Sequence, residues 1–343
     1  MRRAYAKAMA RVKKKLAKAL KARSDDKLWE IDELQPEEIP EELKESGAII
    51  VSLRDVRNSI GKDRAQWKLV LEAEYNSLLE TSAVWPVRHV PKGAEVLPMK
   101  MVLTLKPIPG STLKKKKARA CVCGNFQRKS PADLLYTANI DITSIRLVLA
   151  IAAQWAHWGI TVMDVVTAFL RAPMPQANDK DAIYVKPPAL LEQFKIVAPG
   201  TFWKLTKAVY GLRVSPRLWG KERDKQLGNL RIRVEDGVLR FMSSCIDIAL
   251  WILVADDQEE CDHNRTPRAF LLTYVDDFLV IGPQNIRNAI EEEISRIWQI
   301  KVTGQVNQRD VSNPDASVTF FVNEYSLASE IGRLRDDSGG VYP

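Results

Sequence analysis

The 343-residue sequence predicts an α+β fold, with helices packed on antiparallel strands. Three observations carry that expectation. Long stretches with apolar residues at helical spacing alternate with short runs of β-branched and aromatic residues. The run LLTYVDDFLVIG, residues 271–282, reads as two strands around a tight turn. No internal repeat is visible, so solenoids and propellers are set aside.

Residues 1–23 carry ten Lys and Arg and no acid, with Tyr5, Met9, Val12, Leu16 and Leu20 on one helical face. This basic amphipathic helix is read as the solvated leader of a longer polyprotein. A membrane surface, an organelle address or nucleic acid are the other uses of such a pattern. Residues 24–50 form an acidic linker, expected to be largely disordered. Ten acids stand against two lysines over 24–47, and Pro36 and Pro40 break any long helix. The globular domain is expected over 51–325, and a polar tail over 326–343.

A helix is predicted over 63–80, burying Trp67, Val70, Leu71, Tyr75, Leu78 and Leu79. Strands follow near 84–90, 99–106 and 117–124, with Pro107, Pro109 and Gly110 marking a turn between the last two. A helix over 141–157 places Ile142, Ile145, Val148, Leu149 and Ala152 on one side. A strand then ends at Asp164, and others lie near 182–186 and 201–206. A helix over 215–228 opens at Ser215, read as its N-cap, with Pro216 at the first helical position. Strands near 247–254, 268–275 and 278–282 lead into a helix from Pro283 to 298, with Ile286, Ile290, Ile294 and Ile297 facing in.

The 46% hydrophobic content is enough for a sizeable core. A net charge of +8 favours a polyanionic partner. No apolar run approaches the roughly 18 residues that a membrane span needs, and no secretory signal is present. Cys121, Cys123, Cys245 and Cys261 show no metal-type spacing, so free thiols in a reducing compartment are expected. Cys121 and Cys123 are read as packing residues, and Cys261-Asp262-His263 as a polar loop.

Asp276 and Asp277 sit together inside an apolar hairpin. Adjacent carboxylates raise each other's pKa and destabilise the fold unless a cation lies between them. Mg²⁺ suits such a pair, because it takes one or two carboxylates together with substrate phosphates. Asp164, at the end of the apolar stretch ITVMDVV, is the candidate third carboxylate. The plainer reading is a hairpin turn, where Asp is common.

The wider sequence decides between these readings. YVDD, MDVVTAFLRAPM (163–174), VYGLRVSPRLW (209–219), IYVKPPALL (183–191), TSIRLVLAIAA (143–153) and KARACVCGNF (117–126) occur in an order that resembles copia-type retrotransposon reverse transcriptases. The resemblance covers about residues 63–325. It implies a right-hand polymerase fold with fingers and palm, an antiparallel palm sheet packed on helices, and a truncated or missing thumb. It maps Asp164, Asp276 and Asp277 onto the catalytic and metal-binding carboxylates, with the Val165 carbonyl as a further ligand. The implied cofactor is a pair of Mg²⁺ ions, with Mn²⁺ as a substitute. The implied partners are an RNA template, a DNA primer, a dNTP and other segments of a Pol polyprotein, in a cytoplasmic particle or the nucleus. Lys117, Arg119, Phe169 and Gly211 are carried over as nucleotide-binding residues. Lys114, Lys115, Lys116, Tyr274 and Ser215 are carried over as template and primer contacts. Phe169 would stack under the sugar and reject a 2′-hydroxyl; its plainer role is a core side chain. The segment from Lys106 to Lys129 holds eight basic residues and no acid, which suits phosphate oxygens or merely a solvated hairpin tip. Cys123 and Val166 depart from the family pattern, and neither change removes a metal ligand. The chain is expected to be a piece of a polyprotein. A truncated, inactive copy that only binds nucleic acid or a protein partner is the alternative.

Overall fold

The computed structural model describes residues 48–108, 113–128, 137–155, 157–175, 178, 181–256, 266–307, 318–320 and 323–325. The basic leader, the linker as far as residue 47, the Cys261–His263 segment and the polar tail lie outside the described residues. In chain order the elements begin with β1 Ile49–Ile50, α1 Leu53–Asn58, α2 Gly61–Glu80, β2 Val84–Val87, β3 Glu95–Pro107 and β4 Lys114–Val122. Next come α3 Ile142–Ala152, β5 Trp158–Val165, β6 Ile183–Lys186, α4 Ala189–Gln193, β7 Phe202–Leu205 and α5 Ser215–Asn229. The chain continues through β8 Arg231–Val234, β9 Gly237–Ser243, β10 Leu250–Ala255, β11 Ala269–Tyr274, β12 Asp277–Pro283 and α6 Gln284–Ile297. It closes with β13 Ile300–Asn307, β14 Val318–Phe320 and β15 Asn323–Tyr325.

These elements form two units. The first holds the described residues up to Arg128 together with those between Gln176 and Leu212. Its six-stranded sheet runs β1-β3-β6-β7-β2, with β4 also paired to β3. The β3–β6 pair is parallel, an exception to the antiparallel expectation. Helix α2 buries Trp67, Leu71 and Leu78, while Val70, Tyr75 and Leu79 are only half-buried. Tyr75 stacks on Trp203 with ring centres 5.5 Å apart. Strand β1 lies just inside the expected linker, where its backbone pairs with Leu105 and Thr104 of β3.

The second unit holds the described residues between Lys129 and Pro175 and from Arg213 onward. Its seven-stranded antiparallel sheet runs β13-β5-β12-β11-β10-β9-β8. Successive strand residues face opposite sides. Ile160, Val162, Leu279, Ile281, Phe270 and Leu272 therefore share one face, and they pack with Ile145, Val148, Leu149 and Ala152 of α3. On the other face, Phe278 packs toward Trp298, with ring centres 6.1 Å apart, and Trp298 meets Trp219 of α5 edge-on.

Helix α3 ends at Ala152 rather than 157. A turn carries the amide of Trp155 to the carbonyl of Ala152, and the Trp155 and Trp158 rings then stack at 4.2 Å. Ile142 of α3 stays exposed, since it lies in the first turn beyond the sheet. In α6 the inward set is Ile286, Ile290 and Ile294, followed by Trp298 in place of Ile297.

Candidate active site

Asp164 lies near the end of β5, Asp276 in the turn after β11, and Asp277 at the start of β12. In the β5–β12 register Asp277 stands directly opposite Asp164. Directly opposed residues of an antiparallel pair have β-carbons about 4.5–5.5 Å apart on the same face. Tyr274 opposes Asp277 from β11, and Lys301 opposes Asp164 from β13. One face of the sheet thus presents Lys301, Asp164, Asp277 and Tyr274 in a row across four strands. This is the same face that carries Ile160, Val162, Leu279 and Ile281, so its apolar rows end in carboxylates. Asp164, Asp276 and Asp277 are each half-buried.

The turn itself is strained. Val275 has φ +51°, the left-handed region. A β-branched residue is a true outlier there, and such a conformation costs on the order of 1–3 kcal/mol. Surrounding contacts hold it. The Asn139 Oδ1 accepts from the Val275 amide at 3.1 Å. The Trp219 indole N–H donates to the Val275 carbonyl at 2.7 Å, and Arg223 Nη1 donates to the same oxygen at 3.3 Å. The Val165 amide donates to the Asp276 carbonyl at 3.0 Å, which ties β5 to the turn.

Burial, then the charge of Asp276, then that of Asp164 push the Asp277 carboxyl up to about 7. A carboxylate pair this costly fits a divalent cation, which would relieve both the desolvation and the repulsion. Among the described residues, no three His, Cys, Asp or Glu side chains are yet gathered closely enough to hold a metal ion. The backbone register nonetheless brings the three aspartates together.

The other expected site residues are spread over both units. Phe169 lies in a 3-10 turn, Ala168–Arg171, half-buried and preceded by Thr167 at φ +56°. Tyr274 packs against the α3-side core. Ser215 is not the N-cap of α5. Val214 takes that position, and Ser215 is 1% exposed, so its hydroxyl lies inside the unit rather than at a template-facing surface.

In the first unit, strand alternation splits the lysine run. Lys115, Lys117 and Arg119 point to one side of β4. Lys114, Lys116, Ala118 and Ala120 point to the other, where Ala118 and Ala120 are buried. Lys114 and Lys115 are exposed. The Lys116 ammonium instead turns to α2. It pairs with Asp63, donates to Gln66 Oε1 at 2.7 Å and sits 5.2 Å from the Trp67 ring centre. These contacts give Lys116 a structural role inside the first unit. The Arg119 guanidinium lies over the Tyr210 ring at 4.1 Å. Gly211 has φ +82°, and a β-carbon there would meet the Val122 carbonyl at 2.2 Å. Its lack of a side chain is thus required by a neighbouring strand, whether or not a nucleotide approaches it.

Lys301, Asn139, Trp219 and Arg223 were not among the expected site residues. The strand carrying Lys301 went unpredicted, and an indole or guanidinium that acts through a backbone carbonyl leaves no local pattern.

A mixed and an antiparallel sheet with packed helices, and carboxylates at the open end of the second, make a polymerase-like α+β fold. The chain belongs to the reverse transcriptase (RNA-dependent DNA polymerase) family, whose sequence profile matches residues 82–255, and the motif order marks it as a copia-type domain. It is 27% identical over 241 residues to the retrovirus-related Pol polyprotein from transposon RE1 of Arabidopsis thaliana, covering 69% of this chain and 14% of that one. It is 25% identical over 260 residues to the Pol polyprotein from transposon TNT 1-94 of Nicotiana tabacum, covering 75% and 17%. It is 29% identical over 186 residues to a putative transposon Ty5-1 protein of Saccharomyces cerevisiae, covering 50% and 51%. The chain therefore spans only about a sixth of the plant polyproteins it matches. Among the described residues, no helix is long and apolar enough to cross a membrane.

Proposed function

We propose that this chain is the RNA-directed DNA polymerase domain of a retrotransposon Pol polyprotein, with fingers in the first unit and palm in the second. It would join a dNTP to a primer 3′-hydroxyl and release pyrophosphate. The observation that carries this reading is the cross-strand pair Asp164–Asp277 beside Asp276, with Asp277 pushed up to about 7. Asp164, Asp276 and Asp277 would hold two Mg²⁺ ions, with the Val165 carbonyl assisting. When bound, such ions activate the attacking hydroxyl and stabilise the leaving oxygen. Phe169 would stack under the incoming sugar. Lys115, Lys117 and Arg119 would give phosphate oxygens cationic donors.

Primer extension on an oligo(dT)-primed poly(rA) template tests the reading. Incorporation of dTTP by the wild type and its loss in Asp276→Asn support it. Template binding that weakens with salt, with no extension by the wild type, points instead to a remnant that only binds nucleic acid.

A further inference from the structure

We infer that Trp219 is a positioning residue for the aspartate pair, acting through the strained Val275 carbonyl; the inference rests on the metal-binding reading above. Val275 is the residue just before Asp276, and its left-handed φ of +51° is one that a valine does not hold by itself. Such a conformation persists only where neighbours over-determine it. Here both backbone polar groups of Val275 are engaged. The Asn139 side chain takes its amide at 3.1 Å. The indole of Trp219 and the guanidinium of Arg223 share its carbonyl, at 2.7 and 3.3 Å. The Val165 amide takes the next carbonyl, that of Asp276, at 3.0 Å.

Trp219 is the shortest and stiffest of these contacts. Its ring is 1% exposed and wedged edge-on against Trp298, with centres 5.2 Å apart, so it has little freedom to follow a relaxing turn. Arg223, fully buried, braces the same helix face through the Ala138 carbonyl at 3.5 Å and Asp224 at 2.8 Å. A relaxed Val275 would rotate the peptide plane that leads into Asp276 and re-aim both carboxylates relative to Asp164. Trp219 therefore sets the direction of the two carboxylates without touching them.

Mn²⁺ binding to the full chain, followed by the EPR signal of free Mn²⁺, tests this without depending on polymerase activity. Trp219→Phe keeps an aromatic ring and removes the N–H. It is expected to weaken Mn²⁺ binding about tenfold, within the 10–100-fold range typical when groups that orient metal ligands are lost. Adding Val275→Gly removes the left-handed penalty, and the double variant is expected to recover most of the loss. Asn139→Ala, a milder change at the same residue's amide, is expected to behave likewise and serves if Trp219→Phe does not fold. Wild-type Mn²⁺ affinity in a folded Trp219→Phe would overturn the proposal, as would wild-type affinity in Asn139→Ala where Trp219→Phe does not fold. So would a loss that glycine at 275 fails to recover, since Trp219 would then act by packing alone. Asp277→Asn separates the two readings. If it leaves Mn²⁺ binding unchanged, the carboxylate site itself is wrong, whatever Trp219 does.

Discussion

Arg287 of α6 and Gly159 of β5 are packed so closely that a β-carbon on the glycine would stand 2.6 Å from a guanidinium nitrogen. Arg287 is 2% exposed. Its donors go to the Gly282 carbonyl at 3.0 Å, the Ile160 carbonyl at 3.0 Å, Thr161 Oγ1 at 2.6 Å and Asn307 Oδ1. One side chain thus clamps β5, β12 and β13 at the ends opposite the aspartates. Arg287→Met leaves the buried acceptors of Gly282, Ile160 and Thr161 without these donors and is expected to cost about 2–4 kcal/mol. Gly159→Ala is expected to cost about 2 kcal/mol, because its β-carbon would meet both the guanidinium and the Val306 carbonyl at 2.6 Å. Urea unfolding followed by tryptophan fluorescence measures both, and stability within 0.5 kcal/mol of wild type (roughly the scatter for neutral surface changes) would refute the clamp.

Asp277 makes the second unit sensitive to pH. Its folded pKa of about 7 lies above the ordinary value near 4, chiefly through burial. A raised carboxyl contributes stability that is complete below the ordinary value and is lost as pH rises through about 7. Asp277→Asn carries no charge to desolvate. Without divalent ions it is expected to melt above wild type at pH 8, by on the order of 2 kcal/mol, and to match it at pH 4. Melting curves in EDTA at the two pH values read this directly. Equal stabilities at pH 8 would show that the carboxylate carries no burden there.

Gly211 is expected to tolerate no side chain for reasons internal to the first unit. The Val122 amide donates to the Tyr210 carbonyl at 2.7 Å, and this contact brings Val122 against Gly211. Gly211→Ala combines a left-handed backbone with a contact no β-carbon makes. An expected loss of roughly 2–3 kcal/mol follows. Hydrogen exchange at the Val122 amide should speed up most. Unchanged protection there would return Gly211 to a nucleotide-facing role.

Lys115 and Lys116 are neighbours in sequence and point to opposite sides of β4. Lys115→Ala is expected to reduce the slope of log affinity against log salt for a primed template by about 0.7–1. Lys116→Ala is expected to leave that slope unchanged and instead to lower stability by about 1 kcal/mol, through the lost contacts with Asp63, Gln66 and Trp67. Fluorescence anisotropy titrations over a salt series distinguish the two, and equal slopes would erase the distinction drawn from strand alternation.

Much of the fold was legible because its signals are local. The helix over α2, the strand ending in Asp164, the hairpin around Asp276 and Asp277, and the helix after Pro283 all follow from periodicity and turn chemistry. Strand β13 was not legible. IKVTGQVN alternates weakly, and a bulge between Val302 and Gly304 breaks its register, so Lys301 went unseen beside Asp164. The β8–β9 hairpin was missed although Asp236-Gly237 is a hairpin signal and Gly237 takes φ +132°.

By itself, the sequence determined which residue types exist for the chemistry: three aspartates at strand ends, a lysine run with period-two alternation, and motifs in a recognisable order. Only the tertiary structure decided which of them meet. Register placed Asp277 across from Asp164, and α2 drew Lys116 away from its neighbours. Helix α5 sent an indole N–H to the Val275 carbonyl. Local pattern reports a residue's own backbone preference, whereas pairing across strands and hydrogen bonds to distant carbonyls are settled by the packing of elements far apart in the chain.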